Sequence, residues 1–84
     1  MLTPYIMDLE TFIKNFEEAV EDVEVGTLAG ETVFRSLEQW DSLAVLTVIA
    51  MVDGEYDVRL KAKELKQVET LAALHALIAA KKAA

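Results

Sequence analysis

The sequence predicts an all-α protein: a small four-helix bundle with three longer helices, a short third helix and a long loop between the first two. Two observations predict this class. Hydrophobic residues make up 54% of the 84 residues, with only three glycines and one proline, a composition typical of compact helical proteins rather than of disordered tails. Apolar residues also recur at steps of three and four in the first and last parts of the chain, as they do along one face of a helix.

The length of the chain favours a single domain that spans residues 1–84. A domain of this size buries a modest core, but it is too small to enclose a substrate and also supply a multi-part active site. We therefore expect a monomeric binding or carrier module rather than an enzyme. The chain has no cysteine and one histidine, which excludes disulfides and thiolate metal sites, and we expect no bound metal.

Acidic residues dominate the charge, and they are unevenly distributed. The net charge is −7, and residues 1–57 hold 13 acidic and 2 basic side chains, whereas residues 58–84 hold 2 acidic and 6 basic. This balance disfavours binding to nucleic acid or to anionic membranes and favours basic partner surfaces. Because the first eight residues contain neither a basic segment nor a long apolar stretch, we predict no signal peptide and no membrane span, and expect a cytoplasmic location.

The first predicted helix begins between residues 4 and 8 and ends near Asp22. Its apolar stripe consists of Leu9, Phe12, Ile13, Phe16, Ala19 and Val20. Two starts are open, because Thr3-Pro4 fits a cap and first turn while Asp8 offers a second cap. Phe12 and Phe16 are expected in the core rather than at a ligand site.

A long loop is predicted from Val23 to Trp40, because this stretch contains two glycines and has no sustained period. The hydrophobic residues that we expect to fix the loop against the helices are Val33, Phe34 and Leu37. Trp40 is expected to pack under the loop. An alternative, in which Trp40 is an exposed contact for a partner, stays open.

The second helix is predicted from Ser42 to about Tyr56, with Asp41 as its N-cap, because aspartate accepts hydrogen bonds from the free N–H groups of a first turn. Its first eleven residues carry no charge, so one face cannot bury all of its apolar side chains. The core stripe is predicted at Leu46, Ile49, Val52 or Asp53, and Tyr56, flanked by Val45 and Val48. The exposed face, a candidate partner-binding surface, is predicted at Leu43, Ala44, Thr47, Ala50 and Met51. Alternatively, this is simply the most enclosed helix of the bundle.

The last third of the chain predicts a connector and two more helices. Residues 57–60 are predicted as an extended connector, and Lys61 to Lys66 as at most a short helix that buries Leu65. Its lysines are expected on a solvated face. The last helix is predicted from about Glu69 to Ala80, with an apolar face of Leu71, Leu74, His75 and Ile78. His75 is expected to be structural, because it lies on or beside that packed face.

Ser42 is the candidate functional residue. At a helix start its hydroxyl lies near unpaired backbone donors and the positive end of the helix dipole, a position that suits a phosphate. A catalytic role is disfavoured, because a serine nucleophile needs an adjacent base and the chain offers only one histidine. The nucleophile-elbow pattern is also missing, with Trp40 and Ala44 in place of its glycines. We therefore expect Ser42 to be modified, and no residue to be catalytic.

Three short motifs occur in the order of the predicted helices. They are Asp41-Ser42-Leu43 at the start of an apolar helix, Glu55-Tyr56-Asp57-Val58 at its end, and Val68-Glu69-Thr70-Leu71 before the last helix. With this order the chain resembles the acyl carrier protein family over nearly its whole length. The resemblance implies that Ser42 carries 4′-phosphopantetheine, transferred from coenzyme A by a magnesium-dependent phosphopantetheinyl transferase that recognises Asp41. It also implies that the thiol of this arm carries acyl groups as thioesters between acyl-loading and acyl-processing enzymes, for fatty-acid, polyketide or related synthesis.

Departures from the family pattern favour a specialised carrier over a housekeeping fatty-acid carrier. Trp40 stands where a small residue is usual, and Ala44, Thr47 and Ala50 stand where acidic residues are usual. The third helix is usually acidic, but here it contains three lysines. Partners are therefore expected to contact an apolar surface made of Leu43, Ala44, Thr47 and Met51. Two other functions stay open: a carrier of aminoacyl or peptidyl groups, and an unmodified helical adaptor that binds protein partners.

Overall fold

The computed structural model describes residues 8–83. This part of the chain forms four α-helices, in chain order α1 (Leu9–Ala19), α2 (Ser42–Tyr56), α3 (Ala62–Leu65) and α4 (Leu71–Ala83). The predicted all-α bundle, with three longer helices, a short third helix and a long first loop, is confirmed. Within the described residues, β-type pairing is limited to an isolated bridge between Val33 and Thr70. In the same range no helix is long and apolar enough to cross a bilayer.

Helix α1 begins at the second of the two predicted starts. The Asp8 carboxylate accepts hydrogen bonds from the N–H of Thr11 (3.2 Å) and from its hydroxyl (3.0 Å), which satisfies a free donor of the first turn. The other predicted start, Thr3-Pro4, lies outside the described residues. The predicted end at Asp22 is wrong by three residues, because Val20 leaves the helical region with ψ of 121° and Asp22 has a positive φ of 70°.

Helix α2 has the predicted bounds, Ser42–Tyr56. It ends where Asp57 adopts a left-handed conformation with φ of 57°, and the N–H of Asp57 donates to the carbonyl of Asp53 at 3.0 Å. Aspartate tolerates this conformation better than most residues with a side chain. The sharp stop turns the chain into the connector that leads to α3.

Helix α3 is one turn long and lies inside the predicted segment, with Leu65 buried as expected. Its three flanking and internal lysines are exposed, as the solvated-face prediction requires. Glu64 fixes this turn in two ways. Its carboxylate accepts from the N–H of Lys61 at 2.8 Å and forms an ion pair with Lys81 of α4, also at 2.8 Å. The turn is therefore tied to the end of the last helix.

Replacing Glu64 by glutamine is expected to lower the free energy of unfolding by roughly 0.5–1 kcal/mol at neutral pH, as is usual for ion pairs and caps at the protein surface, because both side chains are still partly open to solvent. The bonds from Lys81 and from the Lys61 N–H hold the pKa of Glu64 below its ordinary value. Such a carboxylate stabilises the fold above its ordinary pKa, and the contribution disappears as the pH falls through the lowered pKa. Urea unfolding across the acidic range measures this loss. The control is Glu69→Gln at an exposed side chain, and equal losses for both variants would contradict the assignment.

Helix α4 begins two residues later and ends three residues later than predicted. The loop supplies acceptors for its first turn: the N–H of Leu71 donates to the carbonyl of Thr32 (3.1 Å) and the N–H of Ala72 to that of Gly30 (2.8 Å). Thr70 supplies the remaining two, since its hydroxyl accepts from Ala73 N–H (3.1 Å) and its carbonyl from Leu74 N–H (2.9 Å). All four donors of this helix start are therefore paired.

The core lies between α1, α2 and α4, and the loop closes one side of it. The larger side chains that are almost completely buried are Phe12, Phe16, Phe34, Leu65, Leu71, Leu74 and Ile78. His75 is half-buried, and its ring centroid lies 5.8 Å from that of Phe12, so it lies beside the packed face as predicted. Burial raises the pKa of Tyr56, whose hydroxyl accepts a hydrogen bond from the Asn15 amide at 2.9 Å.

Candidate functional site

Ser42 is the first residue of α2, and its side chain is exposed. The predicted cap is confirmed: the Asp41 carboxylate accepts from the N–H of Ala44 at 2.8 Å, and the Asp41 carbonyl accepts from the N–H of Val45 at 3.0 Å. A cap of this kind contributes about 1 kcal/mol. The same two bonds fix the direction in which α2 starts, and therefore the place where the Ser42 hydroxyl meets solvent.

The first two N–H groups of α2 differ from those of α4 in their hydrogen bonding. Among the described residues, no acceptor takes the N–H of Ser42 or of Leu43. In residues 8–83 both donors are therefore unpaired, at the positive end of the helix dipole. An anion attached to the Ser42 hydroxyl would therefore lie beside two available donors.

Trp40 packs under the loop, which is the first of the two interpretations of its sequence position. Its ring is stacked on Phe16 (centroids 6.1 Å apart, planes at 11°) and meets Phe34 edge-on (5.1 Å, 71°). Phe34 is completely buried in a short 3₁₀ turn, Phe34–Ser36, which the sequence analysis did not predict. These three aromatic rings pack against one another directly before Asp41.

The three residues expected to fix the loop do so in different ways. Phe34 is completely buried and Leu37 is half-buried against the core. Val33 is 40% exposed, so the prediction that its side chain anchors the loop is wrong. Its backbone does this instead, through the bridge to Thr70. The bridge consists of two hydrogen bonds, from Phe34 N–H to the Glu69 carbonyl (3.2 Å) and from Leu71 N–H to the Thr32 carbonyl (3.1 Å).

Glu17 holds the first half of the loop, a role that its position outside the apolar stripe of α1 does not indicate. Its side chain is 2% exposed, and its two carboxylate oxygens accept from the N–H of Gly26 (3.0 Å) and of Leu28 (2.9 Å). A buried carboxylate is tolerated only when its oxygens are hydrogen-bonded. Glu17 therefore exchanges its hydration for two backbone donors that would otherwise lack a partner in the loop.

Replacing Glu17 by alanine is expected to lower the free energy of unfolding by about 3 kcal/mol, because hydrogen bonds to charged groups contribute roughly 1.5–3 kcal/mol each. The matched control is Glu18→Ala, at the next position of α1, where the side chain is exposed. Urea denaturation of both variants measures the difference. Similar losses in the two variants would show that the loop does not depend on the Glu17 carboxylate.

The predicted orientation of α2 needs a correction. Ala44 is 4% exposed and lies in the core with Val48 and Val52, so it cannot belong to an exposed partner-binding face. Leu46, predicted in the core stripe, is instead 64% exposed. The reason is that α2 is apolar on all sides over most of its length, so that its own pattern does not identify the buried face.

The exposed surface of α2 is therefore made of other residues than those predicted. Leu43 (56% exposed) and Leu46 remain open to solvent, and Ala50 is also exposed. Thr47 is half-buried, with its hydroxyl donating to the Ala44 carbonyl at 3.0 Å. Met51 is half-buried and packs against the core. We call Leu43, Leu46 and Ala50 the apolar face of α2.

A groove of about 600 Å³ lies between the end of α1 and the start of α2, and both neighbours of Ser42 in the sequence, Asp41 and Leu43, line it. Ala19, Ala44 and Thr47 line it together with Gln39 and Leu43, and four carboxylates complete its lining: Glu21, Asp22, Glu38 and Asp41. We call it the serine groove. All four acidic residues are exposed, so the region around the candidate site is strongly negative although α2 itself lacks charge there.

The comparisons with known proteins leave the function open. No family model, curated protein or solved structure matches the chain. The function must therefore be inferred from the site itself, without a relative to compare.

Proposed function

We propose that the chain is a carrier protein that holds acyl intermediates as thioesters on a 4′-phosphopantetheine arm attached to Ser42. The observation that supports this most directly is the position of Ser42. It is an exposed hydroxyl at the first position of a long helix, next to a capping Asp41 and two N–H groups with no acceptor in the described part of the chain. In this arrangement the Asp41 carboxylate is engaged as the cap of α2 and no histidine lies in the motif, which suits a substrate of a second enzyme.

The attachment would be a phosphoryl transfer from coenzyme A. The Ser42 Oγ attacks the phosphorus that bears the pantetheine, and the new O–P bond forms as the bond to the bridging pyrophosphate oxygen breaks. Adenosine bisphosphate leaves with that electron pair, and the serine proton passes to a base of the transferase. The chain itself contributes the hydroxyl, its exposure and the docking surface.

The residues around Ser42 fit such a group. The N–H groups of Ser42 and Leu43 can donate to a phosphodiester oxygen, and the positive end of the α2 dipole stabilises its charge. The serine groove has room for an extended arm, and Gln39 and Thr47 on its wall can bond to amide groups. When bound, the arm supplies a thiol that forms thioesters, which is the chemistry that the chain lacks.

The proposed partners are a phosphopantetheinyl transferase and acyl-loading and acyl-processing enzymes in the cytoplasm. They would meet the apolar face of α2 and the half-buried Thr47 and Met51, but not Ala44, which the core covers. The carboxylates of the serine groove would attract cations on the same partners. A specialised pathway is proposed rather than housekeeping fatty-acid synthesis, because Trp40 is packed where a small residue is usual.

Two other functions have support from particular observations. A carrier of aminoacyl or peptidyl groups would use the same serine and the same helix start. An unmodified adaptor is favoured by the exposure of Leu43 and Leu46, because neighbouring exposed leucines often mark a protein contact. The adaptor gives no reason for an exposed serine next to a capped helix start.

Intact-mass measurement after incubation with coenzyme A, magnesium and a phosphopantetheinyl transferase of broad specificity tests the proposal. The expected result is a gain of one phosphopantetheine group. No gain with a transferase that modifies a known carrier in the same mixture would overturn the carrier function and leave the adaptor. Loading the modified protein with acyl or aminoacyl groups by candidate enzymes then separates the two kinds of carrier.

A further inference from the structure

Four exposed cations lie on one short segment between α2 and α4, in a molecule that is otherwise acidic. They are Arg59, Lys61, Lys63 and Lys66, and we call them the basic strip. The strip holds four of the eight basic side chains of the chain, although the net charge of the whole chain is −7. A local excess of positive charge on an acidic protein is a candidate interaction surface.

The backbone under the basic strip is fixed by buried side chains. Val58, Leu60 and Leu65 are at most 5% exposed. Along residues 58–61 buried and exposed side chains alternate, because successive side chains of an extended segment point to opposite sides. The cations are therefore attached to a backbone that the core holds in place, while their charged ends stay in solvent.

The carboxylate that lies within the strip is already paired. Glu64 accepts from the Lys61 N–H at 2.8 Å, and both of its oxygens accept from the Lys81 ammonium of α4 at 2.8 Å. Asp57 and Glu69 border the strip, but in residues 8–83 they form no ion pair with it. The charge of the strip is therefore not compensated by the described part of the chain.

The basic strip and the serine groove carry opposite charges at different places on the molecule. Helix α2 packs against α1 and also against α3. The groove lies between α1 and α2, and the described residues that line it include four carboxylates and none of the four cations. A surface with separate negative and positive areas favours one orientation of an approaching partner over others.

We propose that the basic strip binds a cluster of carboxylates on a partner protein, and that this contact orients the partner relative to the serine groove. The inference goes beyond the proposed function, because it does not depend on modification of Ser42 and applies to a carrier and to an adaptor alike.

A partner protein fits the strip better than three other anionic surfaces. A second copy of the chain is disfavoured, because two molecules with a net charge of −7 repel each other. An anionic membrane or a nucleic acid presents negative charge over a large area, so it also meets the acidic part of the chain. A protein can limit its carboxylates to the area that faces the strip and present cations to the serine groove.

The test is an NMR titration of the whole, unmodified chain with a peptide of eight glutamates. At an ionic strength of about 0.1 M the Debye length is about 10 Å, which limits repulsion by distant acidic residues. Amide shifts are expected to concentrate in residues 59–66 and to decrease as the salt concentration rises to about 0.5 M. A peptide of eight lysines is the control of opposite charge, and it should shift Glu21, Asp22 and Glu38 at the serine groove instead.

Lys63→Glu is expected to raise the Kd of the glutamate peptide roughly 2- to 25-fold, because it removes one exposed ion pair and adds a repulsion of similar size. The matched control is Lys14→Glu, at an exposed lysine of α1 with the same change in net charge, and it should leave the Kd nearly unchanged. Circular dichroism verifies the fold of both variants. Lys66→Gln, just after α3, is a milder variant that should raise the Kd about 1.5- to 5-fold.

Three results would overturn the inference. They are equal effects of Lys63→Glu and Lys14→Glu, shifts of the same residues by both peptides, and binding of the strip to phosphatidylserine vesicles without any response to the glutamate peptide. Because the titration uses unmodified protein, its failure leaves the carrier function standing, and a failure to gain phosphopantetheine leaves this inference standing.

Discussion

Replacing Ser42 by alanine is expected to abolish the transfer of phosphopantetheine while leaving the fold intact. The hydroxyl is the only part of the residue that the proposed chemistry uses. Alanine is a good helix former, and the Asp41 cap bonds to Ala44 and Val45 rather than to the serine side chain. Intact-mass measurement with the transferase and coenzyme A should show no gain, and circular dichroism should match that of the wild type.

The control for this experiment is the other serine of the chain. Ser36 is also exposed, but it lies at the end of the 3₁₀ turn and has no aspartate before it. Ser36→Ala is expected to gain one phosphopantetheine group as the wild type does. A gain of mass by Ser42→Ala, or its loss in Ser36→Ala, would move the attachment site away from the start of α2.

Phe34→Ala is expected to have the largest effect on stability, lowering the free energy of unfolding by about 3–5 kcal/mol as buried phenylalanine truncations do. The side chain is completely buried, and its ring centroid lies 5.8 Å from that of Phe16 and 5.1 Å from that of Trp40. A cavity at this place removes the packing contact of Trp40, the residue directly before Asp41. Since small domains are stable by roughly 5–15 kcal/mol in total, a substantial fraction could unfold.

Urea denaturation followed by the fluorescence of Trp40 measures this loss and reports on the affected ring itself. Val33→Ala, one residue earlier in the same loop, is the control, because Val33 is 40% exposed and contributes to the loop through its backbone bridge. It should cost less than about 1 kcal/mol. Equal losses of stability at the two positions would show that the packing of Phe34 against Phe16 and Trp40 does not fix the loop.

The start of α2 could be predicted from the sequence because its determinants are local. Asp41 caps a helix from the position directly before it, and Ser42 follows. The start of α4 was placed two residues too early, since two of its donors are paired with carbonyls of Gly30 and Thr32, about forty residues earlier in the chain. Carbonyl groups are the same in every residue, so a sequence cannot indicate which ones will serve as acceptors.

Two features of the candidate site could not be predicted from the sequence, for related reasons. The buried face of α2 could not be identified, because apolar residues surround the helix and only its contacts with α1 and the core put Ala44 inside and Leu46 outside. The buried position of Glu17 could not be predicted either, because a charged side chain outside the apolar stripe of a helix is usually exposed. Its partners are the N–H groups of Gly26 and Leu28, which carry no side-chain signal. The family resemblance rests on Asp41-Ser42-Leu43 together with the motifs at the end of α2 and before α4, and it stays a proposal.

The rates of amide hydrogen exchange are expected to differ between the first residues of α2 and those of α4. The amides of Leu71 and Ala72 donate to the loop, so they can exchange only when the loop detaches from α4, a long-range event that involves much of the domain. The amides of Ser42 and Leu43 have no acceptor in the described part of the chain and are expected to exchange at nearly the rate of an unfolded peptide. The same protein thus combines one helix start whose protection reports on the whole fold with another that stays chemically accessible while the fold is intact.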